Sequence, residues 1–169
     1  MNQNKKSISK STSGNIKKLC VSAIVIALYI AIMFASQSFA FGAYQMRVAT
    51  SLYSMSYILP FLIIPLAMAN SLGNLLGGLG IWDIIGGFGV GIITSGAIFL
   101  IRRLKLPKLL IIPVLIFGPG LIVPVWLAPI LGVPYYLLAL NLCVGQILPA
   151  VLGYALVPIL LRLKVDEII

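Results

Sequence analysis

The chain has 169 residues, of which 61% are hydrophobic and 9% charged, with a formal charge of +9. Soluble domains carry about 25% charged residues, so a water-soluble globule is excluded. A membrane barrel would show strands of about ten residues alternating in polarity, and none are visible, which leaves an all-α integral membrane helix bundle.

Residues 1–18, MNQNKKSISKSTSGNIKK, are polar and basic and read as a flexible cytoplasmic tail. A first span is predicted over 19–39. Its basic start and the SFA at 38–40 imitate a secretory signal and cleavage site, but the apolar run is long for one. Within it Ala23, Ala27, Ala31 and Ala35 recur every four residues and share one helix face. Lipid tails are as apolar as leucine, so helices associate where small residues allow close backbone approach. The bare stripe therefore marks packing inside this bundle or the docking of another subunit.

Basic residues beside spans mark the cytoplasmic side. Between Ala40 outside and Arg102 inside, the chain must cross an odd number of times. Three spans are predicted over 48–61, 62–79 and 84–101, the first two short or broken at Pro60 and Pro65. Gly87, Gly91 and Ser95 repeat the small-xxx-small spacing of a packing face. A fifth span over 109–127, a turn at APILGVPYY and a sixth span over 137–161 complete a domain of residues 19–163. Six crossings put both ends in the cytoplasm, with 164–169 as a short C-terminal tail. Eleven of the twelve basic residues then lie inside, so the charge reads as topogenic and not as a nucleic-acid surface. The exception is Arg47.

Neither a nucleotide loop nor a dinucleotide fingerprint is present, the glycine run GGLGIWDIIGGFGVG lacking the strand and the acidic residue such a fingerprint needs. There is no histidine, and the acidic residues are Asp83, Asp166 and Glu167. Catalysis is therefore disfavoured, and so is a proton-driven carrier, which would want buried carboxylates along its path. Cys20 and Cys143 read as buried packing residues. No metal and no cofactor are expected on the chain itself.

Ionisable residues at membrane depth are functional candidates. Arg47 and Asp83 fall on the outer half, where they pair with each other, cap a helix or meet a ligand. Around them gather Gln37, Tyr44, Gln45, Thr50, Tyr53, Asn70, Asn74, Asn141 and Gln146, amides and rings suited to a flat polar molecule. Trp82 belongs either to this set or to the interfacial aromatic belt.

The stretches YQMRVATSLYSMSYILPF, ANSLGNLLGGLGIWDIIGGFGVG and VGQILPAVLGYALVPIL resemble the substrate-binding S components of energy-coupling factor (ECF) transporters, the vitamin importers of prokaryotes. More narrowly, the chain is similar to the QueT family, associated with queuosine precursors. The resemblance implies a six-helix fold in the plasma membrane with an outward-opening pocket. It implies that the first-helix alanines dock on a transmembrane coupling subunit carrying two ATPases, which use the ATP, and that the S component topples to deliver its solute. Two places depart from the family pattern, which has glutamates where this chain has Thr50 and Gln146. Their loss favours a neutral or anionic ligand over a cationic one. A stand-alone secondary transporter or exporter of a small polar ring compound is the alternative, and a purely structural membrane subunit a third reading.

Overall fold

The computed structural model describes residues 2–40 and 45–165, with side chains from Gly14 onward. All regular structure among the described residues is helical. The first helix, α1 (Asn2–Ala35), runs unbroken from the basic segment into the apolar one. A short α2 (Gln37–Ala40) follows. Next come α3 (Ile63–Asn74), α4 (Ile81–Arg103), α5 (Ile111–Ile122), α6 (Pro124–Leu131), α7 (Tyr135–Gly145) and α8 (Ile147–Arg162). Large apolar side chains cover the outside: Leu19, Ile24, Phe34, Ile85, Leu140 and Val151 are each at least half exposed. That inverts the soluble pattern and suits a bilayer.

Four segments are long and apolar enough to cross a membrane: Gly14–Ala35, Pro60–Gly77, Ile81–Arg103 and Tyr135–Arg162. A fifth arises if Lys108–Ile122 and Pro124–Leu131, bent by 40° at their junction, act as one span. The expected second span over 48–61 is different. It is a ten-residue 3-10 helix, Val48–Tyr57, followed by a shorter one, Pro60–Leu62. At about 2 Å rise per residue, ten residues of 3-10 helix fall short of a 30 Å hydrocarbon core.

Its hydroxyl spacing explains the tighter winding. Thr50 Oγ1 reaches the Arg47 carbonyl at 2.7 Å, Ser54 Oγ donates to the Ser51 carbonyl at 2.8 Å, and Ser56 Oγ to that of Tyr53 at 2.7 Å. Each bond spans three residues, the period of a 3-10 turn, and local hydroxyl bonds of this kind compete with regular α-helical pairing. The segment is buried along nearly its whole length and packs against α1, α3, α4, α5 and α8. Arg102 closes its far end, donating from Nη1 to the Tyr57 and Ile58 carbonyls at 3.2 Å each. One residue of the basic cluster therefore also has a structural job.

The α3–α4 hairpin forms the other half of the frame. Asn70 Nδ2 donates to the Gly87 carbonyl at 2.7 Å, Ser71 Oγ to that of Ile84 at 2.9 Å, and Asn74 Nδ2 to that of Asp83 at 2.7 Å. The small residues of α4 permit this approach. A Cβ on Gly87 would lie 2.4 Å from Asn74 Nδ2, and one on Gly91 2.6 Å from the Ala67 Cα. Gly87, Gly91 and Ser95 are thus the internal packing face their spacing implies. The tight turn into α4 depends on Gly80, whose φ of 91° strains any side chain.

Ala23, Ala27, Ala31 and Ala35 are all exposed, while Val25, Tyr29 and Met33 are buried. Two residues along a helix turn about 200°, so the alanine stripe lies opposite the face that holds the core. Packing within this bundle is therefore not what keeps it bare.

Gly91→Ala is expected to lower stability by about 1–3 kcal/mol, because its clash is with backbone that cannot yield. Gly89, whose added Cβ would meet nothing within 4 Å, gives the matched control. Thermal unfolding in detergent should show Gly89→Ala unchanged or stabilised and Gly91→Ala shifted down.

Candidate ligand cavity

A 3-10 helix stacks every third residue on one face. Arg47, at its N-cap, and Thr50 and Tyr53 within it follow that period, and all three line a small cavity at the centre of the bundle. Gln45 lies just before them, Asn70 reaches in from α3, and Gln146 enters from the junction of α7 and α8. Val90, Pro119, Val123 and Leu142 supply the apolar wall. The volume is about 10 Å³, at the lower limit for one water.

The polar lining is tightly knit. Thr50 Oγ1 lies 2.7 Å from Gln146 Oε1 as well as from the Arg47 carbonyl, so its one proton serves two acceptors. Gln146 Nε2 points at the Gln45 carbonyl at 3.4 Å. Tyr29, from the inward face of α1, donates its hydroxyl to Asn70 Oδ1 at 2.9 Å and stacks on Tyr53 with ring centres 6.0 Å apart. Since Asn70 also donates to α4, its amide is used at both ends. The Tyr53 hydroxyl is buried and has no hydrogen-bond partner among the described residues.

Above this layer Asn74 joins the two charged candidates. Arg47 Nη1 donates to Asn74 Oδ1 at 2.7 Å, and the same amide donates to the Asp83 main-chain carbonyl. Asp83 does not cap α4; Gly80 occupies that position, and Asp83 sits fully buried in the first helical turn. A negative charge is favoured there by the helix dipole. Its Oδ1 accepts from Trp126 Nε1 at 3.2 Å, while Oδ2 has no hydrogen-bond partner among the described residues. The Trp126 ring seats against Gly86, where a Cβ would stand 2.5 Å from it.

Of the candidates, the structure brings Gln45, Arg47, Thr50, Tyr53, Asn70 and Gln146 to one cavity and Asn74 and Asp83 to the network above it. Three candidates lie elsewhere. Trp82 is 66% exposed and faces away from the bundle, as a belt residue would. Gln37 is exposed and donates to the Leu76 carbonyl at 3.3 Å. Asn141 is half-buried on α7 and lines no part of the cavity. Tyr44 lies outside the described residues. Tyr29 and Trp126 were missed; their signal is the polar tip on an otherwise apolar helix, which a buried ring must satisfy. Among the described residues no cluster of His, Cys, Asp and Glu could hold a metal.

A model of the QueT transporter family matches residues 19–162. The chain belongs to the QueT transporter family. That makes it a multi-pass membrane transport protein, and the matched region takes in both the cavity and the alanine face. No curated protein and no solved structure matches this QueT chain.

Asn74→Ala removes one acceptor from Arg47 and one donor from α4. It is expected to cost about 1–3 kcal/mol, the penalty for stranding buried polar groups. Gln37→Ala, at an exposed position, should stay within about 0.5 kcal/mol of the parent in the same unfolding assay.

Proposed function

We propose that this QueT-family chain is the substrate-capturing S component of an ECF-type importer in a prokaryotic plasma membrane. It takes a small flat micronutrient, a queuosine precursor or related nucleobase or nucleoside, from outside. It passes the solute inward with a coupling subunit and two ATPases, which hydrolyse the ATP. In this reading both termini are cytoplasmic, and the 3-10 segment with its flanking turns stands as the short second crossing of six.

The observation that carries the reading is the pair of faces on α1. One buries Tyr29 against the polar cavity, and the other presents four alanines to the outside. A small-residue flank lets a foreign helix approach closely, with the exposed Ile24 and Phe34 beside the alanines. The solute site and the contact with the motor are thus on one rigid element. A gradient-driven carrier would be better served by a carboxylate in the cavity wall, and the described lining residues include none.

Loading requires the walls to part, because sites for small molecules run to about 300 Å³ or more. The wall made by Pro119 and Val123 is the place where the helices are already broken, at the 40° bend between α5 and α6. Arg47, Thr50 and Tyr53 hold one side fixed, and solute entry displaces the other.

Tryptophan at both Ala27 and Ala31 fills the bare flank without touching the buried face. The double variant is expected to keep ligand-induced thermal stabilisation in the isolated protein and to lose co-purification with the coupling subunit and ATPases. Assembly that survives the two tryptophans would contradict the docking role. Failure of the parent protein to be stabilised by any purine, deazapurine or vitamin would contradict solute capture.

A further inference from the structure

A second concavity lies away from the solute cavity, on the outside of the bundle between α4 and α5. Ile93 and Ala97 line it from α4, and Pro113, Val114, Phe117 and Gly118 from α5. Its volume is about 410 Å³, within the roughly 300–1,000 Å³ of small-ligand sites. The two helices meet closely here, since a Cβ on Gly118 would stand 2.7 Å from Thr94 Oγ1. Ile93 and Phe117, each more than half exposed, project beside the groove.

Both helices lead from this groove to a basic connection. Arg103, at the end of α4, and Lys105 and Lys108 after it are all exposed. Arg102, by contrast, is drawn to the Tyr57 and Ile58 carbonyls. From Ile93 to Arg103 the helix rises about 15 Å, half of a hydrocarbon core of roughly 30 Å. The groove thus lies at the depth of one leaflet's acyl chains, and the cations lie at headgroup level. Asp83, the one acidic side chain among the described residues, is in the first turn at the opposite end of α4.

One of these cations occupies a place that suits glycine better. The Leu106 N–H donates to the Ile101 carbonyl at 2.9 Å and the Lys105 N–H to that of Arg102 at 3.1 Å, which closes α4 in a Schellman turn. Lys105 therefore has a φ of 55°, the left-handed conformation that glycine adopts without penalty. The turn itself gains nothing from a lysine there.

We propose that the α4–α5 groove holds one anionic phospholipid, with an acyl chain in the groove and the phosphate among Arg103, Lys105 and Lys108. A phospholipid carries a negative group directly above an acyl chain, and this surface presents cations directly above an apolar slot. Each basic residue near a membrane surface favours anionic lipid, and basic flanks mark the cytoplasmic side, so the lipid belongs to the inner leaflet. A second copy of the chain, inserted in the same orientation, would instead bring matching cations to the same level, where like charges repel. The lipid site does not depend on solute capture.

Native mass spectrometry of the detergent-solubilised full chain tests this with phosphatidylglycerol and phosphatidylcholine of identical acyl chains. One phosphatidylglycerol should be retained at least about fivefold more tightly, the scale of one basic residue at a membrane surface. Lys105→Gly should reduce that preference while thermal unfolding stays unchanged or moves up, because glycine relieves the left-handed turn. Lys105→Arg should keep the preference. Ala97→Phe, which fills the groove and leaves every cation in place, should weaken retention of both lipids. Equal retention of the two lipids by the parent chain overturns the proposal, as does retention of neither. A preference that survives both Lys105→Gly and Ala97→Phe also overturns it, since the lipid then sits elsewhere.

Discussion

Backbone amides and carbonyls inside a bilayer have no water to turn to, and this requirement governs the molecule from its centre outward. The segment Val48–Tyr57 meets it by closing three-residue turns with its own hydroxyls and by taking Arg102 at its far end. Ser56 extends the scheme sideways, placing the same hydroxyl 2.8 Å from the Ser95 carbonyl on α4. The tighter winding has a second consequence. Every third side chain now stacks on one face, so Arg47, Thr50 and Tyr53 stand in a row where an α-helix would rotate them apart. The cavity is a product of backbone satisfaction as much as of side-chain choice.

The frame around that row is assembled from close contacts, since burial of apolar surface drives little between helices in lipid. Asparagines of α3 bond directly to carbonyls of α4, and glycines of α4 leave the space for them. The outcome is a half built on these contacts (α1, the 3-10 segment, α3 and α4) facing a half bent by 40° at the α5–α6 junction. A binding protein that must close on a small solute and later release it benefits from that division. Its fixed side keeps the polar groups aligned, and its bent side has low-cost ways to move. Tyr29 ties α1 to the fixed side, so the alanine flank keeps its orientation relative to the site.

Much of this is legible in the sequence. Composition forced a membrane bundle. The four-residue period of alanine picks out an exposed face, and several of the polar residues grouped with Arg47 line one cavity. The 3-10 winding was not legible, because an apolar run with scattered serines reads equally as a membrane α-helix; only the three-residue reach of the hydroxyls separates the two. The sequence leaves Trp82 open between the site and the aromatic belt for a related reason. At a helix start, neighbouring positions point about 100° apart, and sequence does not say that Asp83 turns inward while Trp82 turns out. Gln37 and Asn141 carry amides like those of the cavity, but their places relative to the central row depend on where that row ends. Tyr29 was hidden by its aliphatic neighbours.

The central claim is that a receptor with no fuel of its own works by presenting a smooth flank to a separate motor. Uptake of radiolabelled solute into cells carrying this chain, compared with and without the coupling ATPases, tests it most directly. The account requires import to fall to background when the ATPases are deleted, with the chain still present in the membrane. Import continuing at the full rate without them would contradict it.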